Sequence, residues 1–154
     1  MKRDYSRLFP PGADWRQETR RCLIVLGAAL AWSLTFFLRY ISAYGALYRV
    51  VNYRRVLIPG AKMQPFSEVL GPSLWGFALA ALAGVGLAAL HYSSFYRGSR
   101  SVYLMRRLPD PLEWHRRCLA LPCACIIACA ALAAALWGLF YLFYLNVTPA
   151  QCLA

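Results

Sequence analysis

The chain alternates between long blocks of apolar residues and shorter, strongly charged connecting segments. Three apolar blocks cover residues of about 22–42, 74–92 and 117–145. Each block is apolar around the whole circumference of a helix, whereas a helix on a soluble protein carries one apolar stripe. A block of about 20 such residues is long enough to cross the hydrocarbon core of a bilayer. The pattern therefore predicts an all-α membrane protein, a single membrane domain over 1–154 with three transmembrane helices.

Local sequence signals indicate where two of these helices begin. Asp14 is typical of the N-cap of the first helix. The third helix has a clearer start, since Asp110 suits the N-cap, Pro111 the first helical position and Glu113 the capping box. We expect this third helix to run from Pro111 through Leu145, which is longer than the membrane requires.

Hydroxyl and small residues inside the blocks predict local hydrogen bonds and helix packing. The hydroxyls of Ser33 and Thr35 are expected to bond the preceding turn of the first helix. The second block carries a small side chain at every fourth position, at Gly76, Ala80, Gly84 and Ala88. Such a strip lets another helix approach closely and gain van der Waals contact in lipid. We expect a helix-packing face there, and the strip identifies no particular partner.

The connection over residues 43–73 is the least regular part of the chain. Its residues at helical spacing predict a surface-lying amphipathic extension, with one face formed by Tyr44, Leu47, Tyr48 and Val51. Three arginines interrupt any apolar window and argue against a fourth span: Arg49, Arg54 and Arg55. We therefore expect an outer loop here rather than a further transmembrane helix.

The distribution of basic residues predicts the orientation. The N-terminal segment, the 93–116 loop and the adjoining Arg117 together hold twelve of the 17 basic residues, and the opposite side holds five. Basic residues collect on the cytoplasmic side of membrane proteins. We therefore expect the N-terminus inside, the C-terminus outside, and a plasma membrane location such as a bacterial inner membrane. The first span is expected to remain as a signal anchor.

The net charge of +11 and the side-chain inventory limit the classes of function. No groove-reading or base-stacking motif accompanies the charge, so anionic lipid headgroups are the expected partners and nucleic acid is not. The six cysteines lack paired metal-binding spacing, so we expect neither metal nor cofactor.

The sequence also argues against an enzyme. All six acidic residues lie outside the apolar blocks, and no Ser-His-Asp set, phosphate loop or zinc signature is present. Two histidines, His91 and His115, fall near the predicted cytoplasmic boundary and leave a histidine pair conceivable. We expect no catalytic residue, and an enzyme acting on lipid would need one of these histidines.

The segment from Gly98 to Leu121 carries the function hypothesis. Val102–Leu108 is predicted to form a short cytoplasmic helix, which Pro109 ends. A protruding helix with apolar and basic patches suits docking into a groove on a soluble partner. The candidate docking residues are Tyr103, Leu104, Met105, Arg106, Arg107, Leu108 and Glu113. The alternative interpretation treats these arginines as an orientation signal only.

This segment resembles the loop between the second and third spans of type-2 ATP-binding-cassette exporter permeases. The matching positions cover about a sixth of the chain and are Gly98, Leu104, Leu108, Pro109, Glu113 and Arg117. In that family the loop supplies the coupling helix that contacts the ATPase subunit, so the resemblance implies an ATPase partner. Family permeases usually have six spans, so three spans imply self-association or another membrane subunit. The alternative is a small non-enzymatic accessory or scaffold protein of a larger complex.

Overall fold

The computed structural model describes residues 15–51, 53–96 and 111–152, and this part of the chain is mostly helical. Its helices are α1 (Trp15–Ser33), α2 (Thr35–Gly45), α3 (Phe66–Leu70), α4 (Trp75–Tyr96) and α5 (Pro111–Val147). Its strands are β1 (Tyr48–Val51) and β2 (Arg54–Leu57). Two short 3₁₀ turns, Gly71–Leu74 and Ala150–Cys152, complete the described elements.

Three helical segments are long and apolar enough to cross a membrane, namely Arg16–Gly45, Phe66–Ser93 and Cys118–Val147. Only 11% to 22% of each apolar window is buried within the chain. Leucines such as Leu79 and Leu82 on α4 are exposed. Apolar surface of this extent is stable only in an apolar surrounding. The prediction of three membrane-crossing helices is confirmed in length and composition, and indicates a multi-pass membrane protein.

The first apolar segment is interrupted at Leu34, between α1 and α2. Ser33 Oγ donates a hydrogen bond of 2.7 Å to the carbonyl of Leu30, and Thr35 Oγ1 donates one of 2.8 Å to that of Trp32. The predicted hydroxyl bonds are therefore confirmed. Because these bonds compete with the helical backbone pattern, the helix tightens here. The amide of Leu34 accordingly bonds the carbonyl three residues back, at 3.2 Å.

The third long helix begins at Pro111 and ends at Val147, so its predicted course is confirmed. Pro122 lies inside it. The predicted caps Asp14 and Asp110 and the predicted short helix Val102–Leu108 lie outside the described residues.

The chain divides into two compact units, which are described separately. The first unit holds the described residues within Met1–Gly27 and Phe77–Ala131. The second holds those within Ala28–Gly76 and Leu132–Ala154.

The second unit is built around an aromatic core. The rings of Phe36 and Phe140 stack with centroids 4.2 Å apart. The buried residues that join them are Tyr40, Leu47, Met63, Val69, Tyr144 and Cys152. Residues distant in sequence are also hydrogen-bonded here, since the amide of Met63 donates to the carbonyl of Cys152 at 2.8 Å. Stacked and edge-on aromatic pairs add to the free energy gained by burying their area.

The segment after α2 forms a β-hairpin, so the predicted amphipathic helix is wrong beyond Gly45. The described fold is therefore mostly helical with one two-stranded sheet, rather than all-α as predicted. The strands pair antiparallel, from Tyr48 opposite Leu57 to Val51 opposite Arg54. The β-branched valines of this segment favour strands over helix. Strand alternation then places Tyr48 and Leu57 against the aromatic core.

Tyr48 also has a polar partner. Its hydroxyl lies 2.8 Å from that of Tyr44. This hydrogen bond raises the pKa of Tyr48 above its ordinary value, because it is made to the protonated phenol.

Candidate functional site

A polar pair in the first unit, formed by a buried histidine and a partly buried glutamate, brings together residues from α1, α4 and α5. His91 on α4 is only 7% exposed. Its Nε2 atom lies 3.2 Å from Oε2 of Glu18, in the first turn of α1. Its Nδ1 atom lies 3.3 Å from the carbonyl oxygen of Cys118 on α5. From its position on α4, one imidazole ring thus contacts both α1 and α5.

The carbonyl that His91 contacts is the one that Pro122 leaves without its helical donor. In an α-helix the carbonyl of residue 118 accepts from the amide of residue 122, and proline has no amide hydrogen. An unpaired backbone carbonyl in an apolar surrounding is costly. His91 supplies the missing donor from a neighbouring helix, which explains why a histidine is buried at this depth.

The contact with Cys118 also determines how the proton is arranged on the histidine. A carbonyl oxygen only accepts hydrogen bonds, so Nδ1 carries the hydrogen that it donates. Nε2 is then the ring nitrogen that faces the Glu18 carboxyl.

A second polar contact joins α4 and α5, at the residue that follows His91 on α4. The hydroxyl of Tyr92 lies 2.8 Å from Nδ1 of His115 on α5. The two histidines therefore contact different elements, His91 reaching Glu18 and Cys118, and His115 reaching Tyr92. Within the ranges that the structure describes, no group of three or more His, Cys, Asp or Glu side chains is arranged to hold a metal ion.

The strip of small residues on α4 lies against other helices of this chain. It comprises Gly76, Ala80, Gly84 and Ala88. In the second unit, a Cβ atom added to Gly76 would lie 3.2 Å from Cα of Ala29 on α1. In the first unit, one added to Gly84 would lie 3.1 Å from Cγ1 of Ile126 on α5. Ala80 is buried and Ala88 half-buried. Packing of this strip against another subunit stays a prediction.

The candidate docking residues Tyr103, Leu104, Met105, Arg106, Arg107 and Leu108 lie outside the described residues. Glu113 falls in the first turn of α5. The described structure does contain the two helix ends that border this loop, because α4 ends at Tyr96 and α5 begins at Pro111. The docking surface itself stays a prediction.

Sequence reasoning missed the pairing of Glu18 with His91. In the sequence, Glu18 lies outside the first apolar block, and the pattern offers His91 only as a possible partner of His115. The available signal was Pro122, because an internal proline requires a donor for the carbonyl four residues earlier.

Comparisons of the chain with protein-family models, curated proteins and solved structures found no match.

Proposed function

We propose that this protein is a membrane subunit that resembles half of a type-2 ATP-binding-cassette exporter permease. In this proposal the loop between α4 and α5 faces the cytoplasm and docks an ATPase. The support from sequence is the loop pattern that ends in Leu108 and Pro109, together with the basic residues on the same side of the membrane. Self-association or another membrane subunit would supply the remaining spans.

One structural observation carries the proposal: the two helices that border the loop are joined just before and just after it. His91 contacts the carbonyl of Cys118 at 3.3 Å, and Tyr92 contacts His115 at 2.8 Å. A load applied to the loop therefore acts on α4 and α5 together rather than on one helix. A docking loop needs this property if a soluble ATPase is to move transmembrane helices.

The start of α5 also suits a docking loop. The helix begins at Pro111, whereas its apolar window begins at Cys118. About seven residues of helix, or roughly 10 Å at the α-helical rise, precede the apolar window. In this proposal the stretch projects the docking segment away from the apolar part of α5 and towards the ATPase.

Co-purification from membranes tests the proposal. We expect the full-length protein to retain an ATP-binding subunit, and Leu104→Asp combined with Leu108→Asp to reduce that retention at least tenfold. The matched control is Ser99→Asp combined with Ser101→Asp, which adds the same charge to polar positions of the same loop. Retention of the ATPase by the leucine variant, at wild-type membrane levels, would refute docking through this loop.

A second candidate is a non-enzymatic accessory or scaffold protein. The observation that favours it is the β-hairpin, whose arginines and Tyr53 are exposed. A scaffold would bind its complex through such a surface. Cross-linking in membranes separates the two proposals, because a scaffold's partner should be lost on Tyr53→Asp and kept when Leu104 and Leu108 are changed.

A further inference from the structure

A narrow cleft of about 130 Å³ lies in the first unit, between α1, α4 and α5. Its lining includes Cys22 and Val25 from α1, Ala83 and Leu87 from α4, and Cys125 from α5. The cleft exists because α4 presents small side chains to it, and larger ones would fill the space. Its walls are almost entirely apolar.

One charged side chain lies at this cleft. Among the described lining residues, Arg21 alone carries a charge, and its side chain is exposed. Arg21 directly precedes the apolar run of α1, so we expect it where the polar headgroups of a bilayer meet the hydrocarbon. Arginine binds phosphate through paired hydrogen bonds, and its stem packs on apolar surface.

We propose that the cleft binds an anionic phospholipid, with the phosphate on Arg21 and part of an acyl chain between the three helices. Basic pockets between transmembrane helices are suited to anionic headgroups. The cleft of about 130 Å³ is small compared with a partner helix, which with its side chains is about 10 Å across. The proposal requires a membrane environment and is independent of ATPase docking.

Native mass spectrometry of the full-length protein in detergent tests this proposal. The probes are phosphatidylglycerol and phosphatidylcholine with identical acyl chains, supplied in equal amounts. We expect the wild type to retain phosphatidylglycerol about tenfold over phosphatidylcholine. Arg21→Gln should remove this preference, while the neighbouring Arg20→Gln, which does not line the cleft, should keep it.

A second pair of variants tests the acyl-chain part of the site. Ala83→Leu fills the cleft and should lower retention of both lipids at least fivefold, whereas Ala89→Leu, exposed on the same helix outside the cleft, should leave retention unchanged. Val25→Phe fills the cleft from α1 and replaces Ala83→Leu if that variant does not fold. Excess inorganic phosphate should not displace the lipid, because the acyl chain contributes to binding.

Several outcomes would overturn the proposal. One is equal retention of the two lipids by the wild type. Another is an equal loss of the preference for phosphatidylglycerol in Arg20→Gln and Arg21→Gln. The third is full displacement of the bound lipid by inorganic phosphate, which would indicate a simple phosphate site. If Ala83→Leu changes the oligomeric state and leaves lipid retention intact, the cleft receives a side chain from a second copy instead.

Discussion

Within an apolar helix, a single residue matters most when it changes the number of unpaired hydrogen-bonding groups. Pro122 removes a donor from the carbonyl of Cys118, and His91 restores one from another helix. The carboxyl group of Glu18 contacts the other nitrogen of the same ring. These residues are one energetic unit, so their contributions to stability should not be additive.

A double-mutant cycle measures that unit. We expect His91→Leu to lower the free energy of unfolding by about 1–3 kcal/mol, because it leaves a buried carbonyl unpaired. In a Pro122→Ala background the restored amide bonds the carbonyl of Cys118, so the same change should cost about 1 kcal/mol less. The measurement is denaturant unfolding in detergent micelles.

The design controls for Glu18. Removing His91 deprives the carboxyl of Glu18 of this partner in both backgrounds, so that cost cancels from the coupling energy. Equal costs of His91→Leu in the two backgrounds would show that the imidazole does not serve the carbonyl that Pro122 leaves unpaired.

Tyr53 offers a second test at the residue scale, this time of backbone strain. It has a φ of +61°, in the left-handed region that side chains other than glycine rarely adopt. Because its side chain is fully exposed, little packing is lost on replacing it. We expect Tyr53→Gly to raise the midpoint of thermal unfolding by roughly 2–4 °C. Tyr53→Ala keeps the strained backbone and should give no increase; an equal increase would assign the effect to the phenol instead.

At the scale of elements, α4 depends on close approach at particular glycines. A Cβ atom at Gly84 would lie 3.1 Å from Ile126, while one at Gly86 would meet nothing within 4 Å. Two glycines separated by one residue on the same helix therefore face different surroundings. This contrast provides an internally matched test of helix packing in the first unit.

We expect Gly84→Leu to lower the free energy of unfolding by about 1–3 kcal/mol through overpacking against α5. Gly86→Leu adds the same side chain on an open face and should change stability little. Combining Gly84→Leu with Ile126→Ala should recover part of the loss. Chemical unfolding of the three variants in the same micelles is the measurement, and equal losses for the two single variants would exclude a packing role specific to Gly84.

The elements differ in how far the sequence determines them. The long helices were predictable because an apolar run of sufficient length allows few other structures in a bilayer. The hairpin was missed because, over a short segment, Tyr44, Leu47 and Tyr48 fit a helical face while the valines favour strands. The pairing of Glu18 with His91 depends on the register of separate helices, which no local pattern contains.

At the scale of the whole molecule, contacts within each unit agree with a three-span threading. In the second unit, the segment after the first span contacts the segment after the third through Met63 and Cys152 at 2.8 Å. Tyr40, near the end of the first span, contacts Thr148, just after the third, at 3.2 Å. Three spans place these two segments on the same side of a membrane. In the first unit, Glu18 near the start of α1 contacts His91 near the end of α4, which is consistent with two crossings between them.

Site-directed labelling tests the full threading. In the proposed orientation Tyr53 is outside and Ser101 inside, because one span separates the hairpin from residues 97–110. We expect Tyr53→Cys to react with a membrane-impermeant maleimide in intact cells, and Ser101→Cys to react only after the membrane is opened. The native chain, whose six cysteines are free, provides the background. Labelling of both positions from outside would exclude three spans. Labelling of Ser101→Cys alone from outside would keep three spans and reverse the orientation. A cytoplasmic ATPase could then not reach the loop.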